Sequence, residues 1–176
     1  MPHPARPAPG RSQRLGSFLD AAGRLALRVV PSFVRRKVVW WVVRWTQPQF
    51  LVGVCAVLRS PDGRLLLFEH RFWEDGKWGV PSGHLMRGES AFACAARELR
   101  EECGLTPRGL ELAHVATGSE NRVEIWLTGT VDITEAPAPE TLDAREITGA
   151  VLLPLPEALA QMRPGQRAIV QHILCS

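Results

Sequence analysis

The spacing of apolar positions changes character near Pro48. Upstream, Phe18, Ala22, Leu25 and Val29 recur at helical intervals until Pro31 interrupts them. A second run over residues 32–45 places Val34, Val38, Trp41, Val42 and Trp45 on one face, with Ser32 as the expected N-cap. Both runs predict amphipathic helices with arginine-rich polar sides, and Thr46-Gln47-Pro48 ends the second. Residues 50–58 then form a short apolar, β-branched run that reads as a buried strand. Ser60-Pro61-Asp62-Gly63 has turn chemistry, and residues 64–70 read as the hairpin partner. Residues 72–85, punctuated by glycines and Pro81, are expected to be a functional loop. A helix follows over 90–103, closed by Gly104. Strands are expected at 110–117, 122–133 and 146–153, and helices at 156–162 and 165–174.

Composition narrows the class. With 176 residues, 45% hydrophobic and 22% charged, the chain suits one α/β domain and an appendage, and excludes a multi-span membrane protein. The predicted division is a disordered tail at 1–16, a basic helical appendage at 17–46 and a catalytic domain at 48–176. Cys55, Cys94, Cys103 and Cys175 are scattered without zinc-site spacing, which points to free thiols in a reducing, cytoplasmic setting. The net charge of +3 hides an asymmetry: residues 1–46 hold nine Arg/Lys against Asp20 alone, or +8, leaving the remainder at −5.

The chemistry is concentrated in residues 83–105. Glu98, Glu101 and Glu102 stand at i, i+3 and i+4, on one side of the predicted helix, where like charges repel unless a cation binds them. The expected apolar stripe is Phe92, Ala96, Leu99 and Cys103, with the carboxylates flanking it and the small Ala91, Cys94 and Ala95 leaving room beside them. Three glutamates alone would favour a solvated acidic face.

The wider spacing decides between these readings. Gly83, five residues, Glu89, seven residues, Arg97-Glu98-Leu99, one residue, Glu101-Glu102, one residue and Gly104-Leu105 resembles the box of the Nudix hydrolase (MutT-like) family. All nine specified positions match, which random residues would achieve at a given start about once in a billion. The resemblance implies an α/β fold, an α/β/α sandwich around a mixed sheet, spanning residues 50–174. It implies that Glu98, Glu101 and Glu102 coordinate Mg²⁺, or alternatively Mn²⁺, with the carbonyl of Gly83. Glu98 doubles as a candidate base, and Arg97 pairs with Glu89 to fix the loop. Glu146 is the first choice for a further metal carboxylate outside the box and Glu120 the second. Ser82 replaces a glycine the family commonly has there, which raises a question of backbone geometry.

The implied reaction is hydrolysis of a diphosphate in a nucleoside diphosphate linked to another moiety: a pyrophosphatase acting on a modified nucleoside triphosphate or a nucleotide sugar, for example. The alternatives are a non-catalytic nucleotide sensor and a membrane-surface hydrolase of lipid-linked diphosphates. Substrate contacts are expected from Arg71, Trp73, Lys77 and Trp78, by stacking on a base or by pairing with phosphates, against the plainer reading of Trp78 as core. The chain has no tyrosine, and position 120 is Glu, so marks of the dinucleoside polyphosphate and ADP-ribose types are missing. For residues 17–46 the readings left open are packing on the domain or on a second copy in a homodimer, peripheral membrane contact and an organellar transit peptide. No specific nucleic-acid partner is expected.

Overall fold

Two runs, Leu51–Arg59 (β1) and Arg122–Thr130 (β6), are apolar along most of their length because they lie side by side inside the sheet. They pair in parallel from Leu51↔Arg122 to Arg59↔Thr130. Along β1 the side chains alternate between two cores. Val54, Ala56 and Leu58 enter one cluster, Cys55 and Val57 the other, and all five are buried. A strand covered on both faces reads as an unbroken apolar run, which is the pattern seen here. The computed structural model describes residues 31–73, 78–117 and 121–175. The helix expected over 17–29 and the tail expected at 1–16 lie outside the described residues.

The chain divides into two units, Met1–Gln49 and Phe50–Ser176. In the second, the Ser60 turn joins β1 to β2 (Leu65–His70), but the two strands share only the partners Arg59↔Leu65. Beyond the turn the sheet forks. β4 (Ser82–His84) takes over pairing with β1, and β7 (Ile147–Leu153) pairs with β2. The short β3 (Trp78–Gly79) borders β2, and β5 (Arg108–Thr117) borders β6 with two register shifts. Helix α2 (Ala91–Cys103) contributes to the first core cluster. Helices α3 (Leu155–Gln161) and α4 (Pro164–Cys175) contribute to the second. The result is the expected α/β sandwich around a mixed sheet.

The differences from expectation are local. Residues 72–85 hold two strands of two and three residues, too short to show any periodicity. β6 stops at Thr130, and Val131 turns into the core instead of extending the strand. In the first unit, helix α1 (Ser32–Thr46) starts one residue earlier than predicted. Pro31 holds the N-cap position without a side-chain cap, and Ser32 is the first helical residue.

Candidate active site

Helix α2 is bounded as its sequence dictates. Ser90 Oγ accepts from the Ala93 N–H at 3.1 Å, and Gly104 closes the far end at φ 73°, a left-handed conformation that glycine adopts without steric cost. The buried face differs from the predicted stripe. Phe92 is exposed, while Cys94, Ala95, Leu99, Glu102 and Cys103 are buried. The small side chains of Cys94 and Ala95 fill with core the room expected beside the carboxylates, rotating the helix so that Glu102 lies on its inner face. One carboxylate of the box is thus 4% exposed.

Arg97 organises the other two. Its Nε and one terminal nitrogen donate to the two oxygens of Glu89 at 2.9 and 3.1 Å, and the same nitrogen reaches the carbonyl of His84 at 3.2 Å. The remaining nitrogen donates to Glu98 Oε1 at 2.8 Å and to Glu101 Oε2 at 3.1 Å. One guanidinium therefore ties the β4–α2 loop to two of the three helix glutamates. Hydrogen bonding from Arg97 holds Glu89 below the usual carboxylate range, and the same bond raises Arg97 in return.

Gly83 closes the arrangement from the β4 side. A Cβ at this position would overlap the Glu98 carboxyl, so only glycine lets the Glu98 side chain lie against the strand. Neighbouring Ser82 pairs with Cys55, and Asn121 is the only non-glycine among the described residues with positive φ. The Gly-to-Ser departure therefore carries no backbone strain.

Glu102 is the chemically unusual member. Its Oε2 is buried without a hydrogen-bond partner. Burial first, then the charges of Glu98, Glu146, Glu101 and Asp143, push its carboxyl up to about 9. These five acidic side chains form one neighbourhood. Asp143 is largely spoken for by Arg145, at 2.7 and 2.9 Å, which pulls it down to about 2. A main-chain bond from the Asp143 N–H to the Glu102 carbonyl, 2.9 Å, docks the Asp143–Glu146 turn onto the end of α2.

Among the described residues no three His, Cys, Asp or Glu side chains form a ready-made cation cage. The donors nevertheless fit a hard cation: every one is oxygen, one is an orphaned buried carboxylate oxygen, and like charges surround it.

A cleft of about 890 Å³ opens beside this cluster, lined by Gly83, Glu98, Glu101 and Glu146 among others. Its other side includes His70, Trp73, Arg122, Glu124, Arg163 and Gln166. Trp73 is held by neighbours: the His70 ring lies 4.0 Å from it and the Arg163 guanidinium 4.3 Å over it. Gln166 Oε1 accepts from the Val80 N–H at 3.0 Å. Gly79 has no side chain to displace either residue; a Cβ there would meet Trp73 at 2.6 Å and overlap Gln166. Burial, reinforced by Arg163, lowers His70 to about 4, so the imidazole is neutral.

Of the expected substrate residues that are described, Trp73 alone lines the cleft. Arg71 lies outside the lining and donates to the Ala144 carbonyl at 2.7 Å, while its backbone N–H bonds the Glu146 carbonyl at 2.8 Å. It supports the turn that carries Glu146. Trp78 packs against the second core cluster, near Gly149 and Met162, in agreement with the plainer of its two readings. Lys77 and Glu120 lie outside the described residues. Arg122, Glu124, Arg163 and Gln166 were not legible as site residues. Arg122 and Glu124 read only as strand positions, and Arg163, between the last two helices, and Gln166, in the last, reach the cleft from about 60 residues beyond the box.

Comparison with known proteins places this geometry. The family model for the NUDIX domain matches residues 49–173. An octanoyltransferase from Myxococcus xanthus is 44% identical over 59 residues, a match covering 33% of this chain and 16% of that protein. The chain thus spans about one sixth of that relative. A NUDIX hydrolase from Nitrosomonas europaea is similar in structure at TM-score 0.56 and 25% identity, with 70% of this chain and 87% of that one covered. The NUDIX domain of NrtR from Shewanella oneidensis, solved with ADP ribose, gives TM-score 0.58 at 20% identity, covering 73% and 88%. The match to the family model spans most of the chain and includes the box and both walls of the cleft: the chain belongs to the Nudix hydrolase family.

Proposed function

We propose that this protein hydrolyses the diphosphate linkage of a nucleoside diphosphate joined to a second moiety, using Mg²⁺, with Mn²⁺ as an alternative. The observation that carries the reading is the buried carboxyl of Glu102, its Oε2 without a partner, set among Glu98, Glu101 and Glu146 at the edge of a substrate-sized cleft. Burying charge of one sign is costly, and a bound cation offsets that cost. Glu98, Glu101, Glu102, Glu146 and the Gly83 carbonyl are the residues that would hold it. Bound there, a divalent cation supplies charge neutralisation at the phosphates and acidifies a coordinated water.

The chain's own residues do the rest. Arg97 orients Glu98 and Glu101 and locks the β4–α2 loop through Glu89 and the His84 carbonyl. Glu98 lines the cleft, where its carboxylate can accept a proton from the attacking water. Arg71 and the Asp143 backbone position the turn carrying Glu146. Arg163, stacked on Trp73, presents a cation to the anionic substrate, and the exposed part of the Trp73–Arg163 pair offers a flat surface to a base. The ADP ribose bound by the NrtR domain makes nucleoside diphosphates linked to a sugar the first class to try.

The test is product release from nucleoside triphosphates, nucleotide sugars, ADP-ribose and lipid-linked diphosphates, with Mg²⁺ and with chelator. The expected result is turnover of at least one nucleotide class only when the cation is present. Turnover that persists in chelator would overturn the cation assignment. Tight nucleotide binding without turnover on any class would instead make the protein a nucleotide sensor.

A further inference from the structure

The six tryptophans of this chain fall into two groups of three. Trp126 is fully buried, and Trp73 and Trp78 are half-buried in the cleft wall and the core. Trp40, Trp41 and Trp45 are all on α1 and all exposed, at 67%, 63% and 74%. Tryptophan left largely in water is unusual, and three within six residues require an explanation.

Helical geometry sorts the residues around them. At 100° per residue, Val34, Val38, Trp41, Val42 and Trp45 occupy a sector about 100° wide. Trp41 and Trp45, one turn apart, stack within it with ring centroids 5.2 Å apart. Arg36 lies opposite this sector and Lys37 and Arg44 towards its flank, with Phe33, Val39, Trp40 and Val43 among them. The helix contains no acidic residue. Its 15 residues give a length of about 22 Å, short of the roughly 30 Å hydrocarbon core of a bilayer. No described helix is long and apolar enough to cross a membrane.

We propose that α1 is an interfacial anchor that lies along the surface of an anionic lipid bilayer. Indole rings are favoured at the boundary between headgroups and hydrocarbon, where an apolar ring and a polar N–H are both accommodated. The cations supply the complementary charge. Residues 1–46 carry +8 while the rest of the chain carries −5, so attraction to anionic lipid is confined to the segment that bears the exposed indoles. A second copy of the same helix fits less well. Side-by-side pairing in parallel would oppose Arg35-Arg36-Lys37 with its equal and bring no acidic residue to neutralise it.

The experiment is co-sedimentation of the full chain with vesicles of pure phosphatidylcholine and of phosphatidylcholine containing phosphatidylglycerol, at low and high salt. Binding is expected to the anionic vesicles and to weaken as salt rises. Replacing Arg36, Lys37 and Arg44 by Gln lowers the partition coefficient by about two orders of magnitude, at roughly fivefold per cation. Substituting Ala for Trp40, Trp41 and Trp45 lowers it at least tenfold without changing the salt dependence. Because hydrolysis is measured separately, failure here is distinguishable from failure of the catalytic reading. Absence of binding to anionic vesicles overturns the proposal, as does equal binding to neutral ones. A concentration-dependent dimer that the triple Trp variant converts to monomer, in a protein that ignores vesicles, assigns the surface to self-association instead.

Discussion

Helices α1 and α2 are similar in length and carry similar numbers of charged side chains, yet those charges are placed in opposite ways. On α2, Glu98, Glu101 and Glu102 share one side, two are gripped by Arg97, and the third is buried with its Oε2 unpartnered. On α1, the cations and tryptophans are all exposed. Like charges forced together against a core make ionisation costly, a cost that a proton or a bound cation relieves. Spread over an exposed surface, such charges supply long-range attraction to something large and oppositely charged. Charge count is nearly equal in the two helices; burial separates a centre for chemistry from a surface for attachment.

The largest expected effect comes from removing the charge on α2 while keeping its shape. Glu101→Gln with Glu102→Gln should lower kcat by about three orders of magnitude, the upper end of what one strong electrostatic contribution supplies. Mg²⁺ should also cease to raise the melting temperature, as it does for any protein whose folded state alone binds it. Steady-state kinetics and thermal melts with and without the cation check both. Activity that survives would mean that the crowded carboxylates of α2 are not the ligands, and the contrast with α1 would lose its chemical meaning.

Gly83→Ala comes next. The new Cβ overlaps the Glu98 carboxyl, so either the side chain or β4 must move. A displacement of about 1 Å at a reacting group costs roughly 100-fold in rate, and the overpacking costs about 1–3 kcal/mol of stability. A variant that kept full activity would show that Glu98 need not lie against the strand. Arg97→Ala should cost about 10- to 100-fold, as loss of residues that orient ligands generally does. Because Arg97 touches the loop as well as two ligands, the loss should appear both in kcat and in the Mg²⁺ concentration required for half activity. Arg97→Lys, which keeps the charge and loses the fork, should recover little.

The parts of this site that were legible are those whose geometry is local in sequence. Glu98, Glu101 and Glu102 share a side because 3.6 residues make a turn, and Ser90 and Gly104 bound α2 by their own side-chain and backbone preferences. Which side faces inward was not local. Phe92 looked like core and is exposed, while Cys94 and Ala95 looked like spacers and are buried, because close approach of the helix to the sheet favours small residues. Glu102 inside the core follows from that rotation, and no apolar-stripe pattern anticipates a buried glutamate. The far wall of the cleft was the least legible part. Arg163 and Gln166 reach it by way of Trp73 and Val80, contacts spanning about 85 to 90 residues of chain. Residues 72–85 contributed strands too short for periodicity, so the pairing of β4 with β1 that brings Gly83 to Glu98 was invisible beforehand. The box itself was read through its resemblance to a family as much as through physics.

The smallest expected effect is also the sharpest check on the contrast between the helices. If α1 attaches the protein and α2 carries the chemistry, Trp40→Ala with Trp41→Ala and Trp45→Ala should change kcat/KM on a water-soluble nucleotide less than twofold in the absence of lipid. None of the three lines the cleft, and the nearest described cleft residue in sequence, His70, is 25 positions beyond Trp45. The same variant should lose any rate enhancement that anionic vesicles give the wild type on a lipid-linked diphosphate. Substrate and enzyme then no longer share a surface, and the effective concentration that a shared surface provides disappears. A fall in solution activity of tenfold or more would mean that α1 contributes to catalysis or to the stability of the catalytic unit, and melting temperature separates those two. A rate on soluble substrate that is untouched, together with lost vesicle binding, would leave burial of charge as the feature that divides the roles.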